Sequence, residues 1–579
     1  MIPRQVWHAT LLAFVLNGLF VLTGQFTHSF DAYTHIFFAD HYRADWWTIW
    51  EPRWYTGFSI VSYPPLVHQL MGLLSHLTGL EIAFAVILWA ALTAYPLAMY
   101  AFSRVFFGRR VSRYAAWGAT MSPALLLAAH VFGQIPTVVA TMVALFALAA
   151  LASFLRKGGA LHCALSVALF TVVMAAHHAT LMFLPFVVVG LLIHMLLNEK
   201  VDRKKLFARL AVFAPLALIF GLAVIWPFWV WGRGQAIQTP IDHPTRHNYL
   251  TDWFAFTAFF LPAYGPLLVI IPFALWAAFK RKYTGLSLAF LPLFILGLGG
   301  TTPLPRLLFG AGWEWLIYDR FALWASLLLL PFLGVALILT HRRLPRYWRY
   351  RLRLRFLKIE LIKRNFNSWP PIQLGIPRRM VTIFVFTVMG IAALTIGFLP
   401  SWMPFEPARI NMQPIVDFLA RKDHAEWRYI TLGFGDQLAW LSTMTNATTI
   451  DGNYHTARNL PELRSSGIGQ IDTAYWVFHG LRAVDPVIKK SGEHGVRWAF
   501  VSLRQYIPIL ARNGWVKRAK LINGIQIWEN PSATLPPPVQ IPPEDPLASF
   551  SWGVFPLLSL AIAAVLSFLR LRHLGHSLK

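Results

Sequence analysis

The chain has 579 residues, of which 56% are hydrophobic and only 13% are charged, and its formal net charge is +26. Soluble proteins carry about 25% charged residues, so this composition excludes a soluble or disordered chain and indicates an integral membrane protein. A single cysteine, Cys163, excludes an intrachain disulfide and a thiolate metal cluster.

Apolar stretches of about 20 residues predict about twelve transmembrane helices. The first of them follows Arg4, and no small-residue cleavage site comes after Gly24, so we expect a retained anchor rather than a signal peptide. The sequence therefore predicts an α-helical polytopic membrane protein. The predicted spans are residues 7–25, 81–103, 114–130, 136–155, 160–176, 179–197, 206–231, 256–279, 284–299, 320–340, 380–400 and 552–571.

The positive charge is unevenly distributed along the chain. If the N-terminus is cytoplasmic, the inner loops hold 30 basic residues against three acidic ones, so the whole excess lies on the inner face. This bias predicts two cytoplasmic termini and argues against a nucleic-acid partner. We expect the inner face to contact anionic membrane lipids, most strongly through the basic run 342–364, which is predicted to lie as an interfacial helix.

Two outer segments are too polar to cross the membrane. One is the first outer loop, residues 25–80, within a transmembrane domain assigned to residues 1–400. The other, residues 401–550, alternates β-rich with helix-like runs and predicts a small extracytoplasmic α/β domain. A proline-rich spacer then leads to residues 551–579, a final transmembrane helix with a basic cytoplasmic tail. The β-rich runs are residues 427–434, 496–503 and 525–528.

The first outer loop contains the densest set of polar and ionisable residues. Asp31 falls just past the first span, where a partly desolvated carboxylate is suited to act as a general base. His35 follows four residues later and shares a face with Asp31 if the segment is helical. The pair would then position a hydroxyl or a phosphate group. Equally, Asp31 can serve only as the N-cap of a helix over residues 33–42.

Three segments of the chain resemble a known family of membrane enzymes. They are DAYTH at 31–35, WYTGFSIVSYPPL at 54–66 and YDRFALW at 318–324. Together with the long first outer loop, the many helices and the late outer domain, they are similar to the GT-C superfamily of membrane glycosyltransferases. More narrowly, they resemble the 6-pyruvoyl-tetrahydropterin-synthase-related membrane proteins, which are relatives of the YfhO type.

The resemblance implies transfer of a sugar, with inversion, from a polyprenyl-phosphate carrier to a glycan, lipid or protein acceptor on the outer face of the cell membrane. In the family, the acidic residue of the first outer loop is the base or the acceptor-positioning group, and the matching position here is Asp31. Other GT-C branches carry a second acid in that motif, whereas Ala32 and Tyr33 follow Asp31 in this chain. This departure leaves the need for a divalent metal open, and no metal ligands are assigned.

Such a reaction needs cations for the departing lipid phosphate. Arg320, at the outer entrance of a span, can fork onto phosphate oxygens. Its alternative role is a structural ion pair with Asp319 or Glu314. The further substrate-binding candidates are polar side chains in outer loops or at outer helix ends: Tyr63, His177, His178, Arg233 and Arg246. The two histidines are adjacent and point in different directions on a helix, so they do not readily ligate one ion.

Two other functions would use the same polar residues. A lipid or solute transporter or flippase would bind its cargo through them, although the sequence lacks the paired discontinuous segments typical of transporters. A glycan ligase or polymerase would use a lipid-diphosphate donor, and the sequence does not distinguish the donors. The position of the charges at helix ends favours chemistry at the membrane surface.

Overall fold

The structure is a computed structural model that describes residues 2–235, 237–343, 347–350, 374–536, 538, 539, 541–543 and 545–576. Within these residues, nine helices are long and apolar enough to cross a membrane. A four-stranded sheet follows in the last third of the chain. The predicted class, a polytopic α-helical membrane protein with a small α/β region, is confirmed.

The described residues up to 343 form sixteen α-helices and one short hairpin, which lies in the first loop. The hairpin pairs β1 (Trp50–Glu51) with β2 (Phe58–Ser59). The helices are α1 (Arg4–Leu22), α2 (Ala32–Ala44), α3 (Leu66–Thr78), α4 (Leu80–Phe106), α5 (Arg109–Thr120), α6 (Pro123–Leu126), α7 (Ile135–Lys157), α8 (Ala160–His177), α9 (Leu184–Asn198), α10 (Arg203–Arg233), α11 (Trp253–Ala255), α12 (Leu261–Tyr264), α13 (Ile271–Ala277), α14 (Thr284–Leu296), α15 (Leu304–Phe309) and α16 (Asp319–Arg343).

The later part of the chain combines helices with strands. Its helices are α17 (Arg378–Gly397), α18 (Leu399–Trp402), α19 (Gln413–Leu419), α20 (Gln437–Met444), α21 (Pro461–Ser465), α22 (Gly480–Lys490), α23 (Ile507–Arg512) and α24 (Pro546–His576). Its strands are β3 (Tyr347–Tyr350), β4 (Leu374–Pro377), β5 (Arg428–Leu432), β6 (Val496–Val501), β7 (Val516–Lys520) and β8 (Gln526–Glu529).

Nine of the twelve predicted spans match the nine long helices, and three differ. One of the nine, Trp253–Ala277, is a continuous helical segment in which a π-helical turn and a 3-10 turn separate α11, α12 and α13. Predicted spans 179–197 and 284–299 contain α9 and α14, which are apolar but have only 15 and 13 residues. Predicted span 114–130 is divided between α5, the short α6 and a π-helical turn at Leu127–Val131. Pro123 begins α6, and because proline has no N–H to donate, it prevents α5 from continuing through this point.

The helical bundle has two chemically different ends. The Asp31 end is the one at which α1 ends and α4 begins, and the basic end is the one at which α4 ends and α5 begins. The basic run 342–364 follows α16 at the basic end, but most of it lies outside the described residues. Its described strand β3 pairs antiparallel with β4, so this part is not the predicted interfacial helix.

The sheet of the later region has the strand order β5-β6-β8-β7. Strands β5 and β6 are parallel, and the other two pairs are antiparallel. All five residues of β5 are buried, as are five of six in β6, so these strands form the centre of the region. Apolar side chains from α19 and α20, such as Phe418 and Leu438, pack against the sheet and bury aromatic residues including Tyr429 and Trp498.

The first loop packs directly against this sheet-containing region. The ring of Phe37 on α2 stacks on Trp54 at a centroid distance of 3.8 Å, and both side chains are buried. The Trp54 indole then donates a hydrogen bond to the Ser442 hydroxyl of α20 at 2.8 Å. The first loop and the residues after 400 thus share one packed interior.

A buried charge network fixes the conformation of the first loop. The guanidinium of Arg53 binds Asp40 on α2 at 2.6 Å and Glu51 of the hairpin at 2.7 Å. His41 contacts the same Glu51 carboxylate at 2.9 Å. Arg53 also donates to the carbonyl of Ser442 at 3.0 Å, so the network reaches into α20. Several ionic residues of this loop therefore hold structure rather than substrate.

Candidate active site

Asp31 lies in the turn before α2, but its carboxylate does not cap that helix. The capping oxygens come from Asp436, whose carboxylate accepts the backbone N–H of Tyr33 at 2.6 Å and that of Thr34 at 3.2 Å. It also accepts the Thr34 hydroxyl at 2.7 Å. Asp436 therefore satisfies the N–H groups that a local N-cap would otherwise bind. Asp31 keeps its carboxylate free of the capping role that the sequence left open.

The turn that carries Asp31 is held by a close backbone approach. The N–H of Phe30 donates to the carbonyl of Val131 at 3.1 Å. Gly133 adopts a φ of +70°, and a Cβ added there would lie 2.8 Å from the nitrogen of Ala32. Glycine suits this position because the backbone is left-handed and a side chain has no room. The main chain at Asp31 is thus fixed from two directions, by Asp436 and by the 131–133 segment.

The Asp31 carboxyl lies near two charges of opposite sign. Burial raises its pKa from 3.8 to about 6, the guanidinium of Arg320 opposes this rise, and the carboxylate of Asp319 adds to it. A general base is most effective when its pKa lies near the working pH. The surroundings of Asp31 are therefore those of a carboxylate that can accept a proton near neutral pH.

Arg320 lies in the first turn of α16, next to Asp319. Among the described residues it forms no ion pair with Asp319 or Glu314, and its Nε atom is buried without a hydrogen-bond partner. Asp319 instead accepts a hydrogen bond from the Gln134 amide at 3.1 Å. Arg320 is the charge common to the site, since it acts electrostatically on Asp31, His35, Tyr63, His177, His178, His243 and His455.

His35 contacts another histidine rather than Asp31. Its Nδ1 lies 3.0 Å from Nε2 of His68, and Nδ1 of His68 lies 3.2 Å from the carbonyl of Pro64. Burial lowers the pKa of His35 well below its usual value, and it lowers the pKa of His68 to about 3. Both rings are therefore neutral and can donate or accept hydrogen bonds. The ring of Tyr63 packs edge-on against His35 at 5.6 Å.

The adjacent histidines at the Asp31 end of α8 have different surroundings. The Nδ1 of His177 lies 3.0 Å from the Thr180 hydroxyl, and its ring is 6.4 Å from that of Tyr63. The ring of His178 packs on Phe228 at 4.3 Å, and its Nδ1 is buried without a partner among the described residues. Tyr63 thus links His35 with His177, while His178 presents an unused ring nitrogen.

The two loop arginines differ from Arg320. Arg246 donates hydrogen bonds to the carbonyls of Ile241 and Glu314, so its guanidinium joins two loops. Arg233 is exposed in the last turn of α10. Neither acts electrostatically on Asp31. The structure brings together Asp31, His35, Tyr63, His177, His178 and Arg320 through contacts or the shared field of Arg320. Arg246 acts together with Arg320 on His243 and His455, whereas Arg233 is exposed outside this group.

Several residues around the site were not predicted from the sequence. Asp436 and His68 were missed because each acts on a partner far away along the chain, at a separation of 403 residues for Asp436 and Tyr33. Glu406 was missed as well, and its carboxylate accepts the N–H of Asp436 at 2.9 Å. No local motif marks these residues. That these polar side chains are buried is visible only in the folded chain.

The described part of the chain contains no group of three or more His, Cys, Asp or Glu side chains placed to hold a metal ion. The cation that lowers the pKa of Asp31 is Arg320. Arginine is well suited to phosphate because its planar guanidinium presents several N–H donors in a fixed fork. The arrangement thus places the Asp31 carboxylate near the Arg320 guanidinium and a second carboxylate, Asp319, with histidine and tyrosine side chains around them.

Comparisons with known proteins address the fold of the chain. No family model matches it, and no curated protein matches it. Among solved structures, ArnT from Cupriavidus metallidurans bound to undecaprenyl phosphate is 13% identical, with a TM-score of 0.50 over 90% of this chain and 99% of that one. The Archaeoglobus fulgidus oligosaccharyltransferase in complex with Zn and sulfate is 13% identical, with a TM-score of 0.53 over 91% of this chain and 73% of that one.

The chain has the GT-C fold. The fold that this resemblance implied is therefore confirmed. The shared fold extends over nine-tenths of the chain in both comparisons, so it includes most of the residues after 400. The narrower resemblance to the 6-pyruvoyl-tetrahydropterin-synthase-related proteins of the YfhO type stays a prediction.

Proposed function

We propose that the protein is a membrane glycosyltransferase that moves a sugar from a polyprenyl-phosphate donor to an acceptor. The observation that carries this proposal is the state of Asp31, whose carboxylate is relieved of capping by Asp436 and is tuned by burial and by Arg320. The GT-C fold supports the enzyme class. The ArnT structure bound to undecaprenyl phosphate supports a polyprenyl-phosphate donor.

In the proposed reaction, Asp31 accepts a proton from the nucleophilic group of the acceptor. The acceptor atom attacks the anomeric carbon while the bond from that carbon to the phosphate oxygen breaks, and the electron pair leaves with the polyprenyl phosphate. Attack opposite the leaving group inverts the configuration at the anomeric carbon. The Arg320 guanidinium pairs with the departing phosphate, where charge develops in the transition state.

The histidine and tyrosine side chains around Arg320 have a different role in this proposal. His35, His177 and His178 provide hydrogen-bonding groups for sugar hydroxyls or phosphate oxygens, and His178 has an unused ring nitrogen within the described residues. The ring of Tyr63 offers an apolar face to the sugar. Burial keeps His35 neutral, so it does not compete with Arg320 for phosphate or with Asp31 for the proton.

The orientation of the site follows from the charge bias of the sequence. The Asp31 end of the bundle carries the reacting groups, and the opposite end carries the basic loops. Under the positive-inside rule, the basic end is cytoplasmic and contacts anionic lipids, both termini are cytoplasmic, and the active site faces outward. The acceptor is then a glycan, a lipid or a protein on the outer face. The Archaeoglobus fulgidus structure tethered to an acceptor peptide gives a precedent for a protein acceptor on this fold.

The experiment that tests the proposal is sugar transfer by the purified protein in lipid, with a panel of radiolabelled polyprenyl-phosphate and polyprenyl-diphosphate sugars. We compare wild type with Asp31→Asn, which keeps the shape of the side chain and removes the base. Loss of a general base costs about 10²- to 10⁴-fold in rate. The matched control is Asp45→Asn, the same substitution at an exposed carboxylate of the same loop.

The outcomes distinguish the alternatives. Loss of transfer in Asp31→Asn with donor binding retained, and normal transfer in Asp45→Asn, supports the mechanism. Equal transfer by wild type and Asp31→Asn contradicts the role of Asp31. Transfer only from polyprenyl-diphosphate donors indicates the glycan ligase or polymerase, and donor movement across the bilayer without transfer indicates a flippase.

A further inference from the structure

The last helix, α24, borders two membrane-level grooves of different chemistry. One has a volume of about 870 Å³, lies against α8 and α10, and has no charged residue in its lining. The other has a volume of about 720 Å³ and lies against α4, α7 and α8. Most of the second groove is apolar, with walls that include Met142, Leu169, Leu560 and Ala564. We call this second groove the α24 groove.

The α24 groove differs from its neighbour because it ends in a cluster of cations. The lining of the groove includes Arg104, Arg156, Lys157 and Arg570, and it contains no acidic residue. All four cations lie at the basic end of the bundle, because α4 and α7 end there and α24 approaches the same end. An apolar channel with a cationic mouth matches a ligand with an apolar tail and an anionic head.

Three of these cations are already positioned by the protein. Arg104 donates to the carbonyl of Phe107 at 2.9 Å. Arg156 binds the Glu199 carboxylate through Nε at 2.9 Å and donates to the carbonyl of Val105 at 2.7 Å. Arg570 donates from Nη2 to the Ser153 hydroxyl at 3.0 Å, so it reaches from α24 across to α7. A guanidinium has five N–H donors, so this single bond leaves Arg570 able to bind phosphate oxygens. Lys157 is exposed at the mouth.

The length of the groove matches one leaflet of a bilayer. Along α7 the lining runs from Met142 to Lys157, and along α24 it runs from Leu560 to Leu571. At 1.5 Å per residue these segments are about 22 Å and about 16 Å long. Half of a hydrocarbon core of about 30 Å is about 15 Å. A single acyl chain with its phosphate at the mouth would therefore fill the groove.

We propose that the α24 groove binds one anionic phospholipid. An acyl chain lies along Leu560 and Ala564, and the phosphate lies between Lys157 and Arg570 at the basic end. This lipid joins α24, of which only 17% of the membrane window is buried, to the rest of the bundle. The site is at the opposite end of the bundle from Asp31, so it is independent of the proposed transfer reaction.

The test is native mass spectrometry of the full-length protein in detergent with equimolar dioleoyl-phosphatidylglycerol and dioleoyl-phosphatidylcholine. The two lipids share acyl chains and differ in net charge. We expect one phosphatidylglycerol to be retained in preference to phosphatidylcholine. Each Lys or Arg near a membrane surface contributes about 1 kcal/mol to anionic lipid binding. The preference should therefore fall about fivefold in Lys157→Ala and about 25-fold in Lys157→Ala/Arg570→Ala.

Two further variants separate a defined site from general attraction. Arg203→Ala removes an exposed cation at the same end of the bundle, outside the lining of the groove, and it should leave the preference unchanged. Ala564→Trp fills the groove from an exposed position and should displace both lipids. Equal retention of the two lipids by wild type, or an equal loss in Arg203→Ala and Lys157→Ala, would overturn the proposal.

Discussion

The cap that Asp436 supplies to α2 can be tested by removing it. In Asp436→Ala, the N–H groups of Tyr33 and Thr34 and the Thr34 hydroxyl lose their acceptor. At about 1 kcal/mol for each hydrogen bond, the start of α2 should open more easily by about 3 kcal/mol. This corresponds to amide exchange about 100-fold faster. Thr34→Val removes only the hydroxyl bond and should accelerate exchange about fivefold.

The assay is hydrogen–deuterium exchange with mass spectrometry on peptides that cover the start of α2. The exchange rate reports local opening, so the measurement does not require the whole membrane protein to unfold reversibly. Asp417→Ala is the control, because Asp417 is an exposed carboxylate of the same region that accepts a bond from Gln413. If exchange in the α2 peptide is the same in Asp436→Ala as in wild type, the cap assigned to Asp436 does not form.

Three other results follow from the charges of the structure. Transfer should rise with pH through about 6, because Asp31 accepts a proton only when ionised and burial raises its pKa to that value. Arg320 lowers the pKa of Asp31 and Asp319 raises it. In the pH profile of the residual activity, the rising limb should therefore move to higher pH in Arg320→Ala and to lower pH in Asp319→Asn. A rising limb that stays in place in both variants would show that Asp31 does not control it. Arg53→Met removes the buried guanidinium that Asp40 and Glu51 share, leaving Asp40 with Arg43 and Glu51 with His41. It should destabilise the first loop by about 3 kcal/mol, seen as a lower melting temperature in detergent, whereas Arg43→Met, at a more exposed pair, should cost about 1 kcal/mol or less.

The sequence predicted the membrane helices and three strands because these elements carry strong local patterns. Predicted runs 427–434 and 496–503 contain the buried strands β5 and β6. Strand β7, Val516–Lys520, was missed because all five of its residues are exposed and its sequence, VKRAK, has no alternating apolar face. It is a strand only because β8 offers a pairing edge, and that edge is a property of the folded sheet.

The candidate site was predictable only in part, for a related reason. Asp31 and Arg320 lie next to predicted spans, so their positions at a membrane surface follow from hydropathy. The sequence left a choice between a catalytic and a capping Asp31, and it gave no means to decide. The decision rests on Asp436, which reaches α2 from 403 residues away in the chain. The same limit applies to Arg246, whose guanidinium is occupied by the carbonyl of Glu314, a residue from another loop.

The contact between Asp436 and α2 gives the region after residue 400 a role in the chemistry proposed for the first loop. A helix start needs acceptors for its free N–H groups, and an aspartate just before the helix is a favourable one. With Asp436 in that role, Asp31 can occupy the turn before α2 without becoming its cap. One carboxylate then holds the helix while the other faces the field of Arg320. A single aspartate could not do both, because its two oxygens would then be occupied by the N–H groups of Tyr33 and Thr34, as the oxygens of Asp436 are.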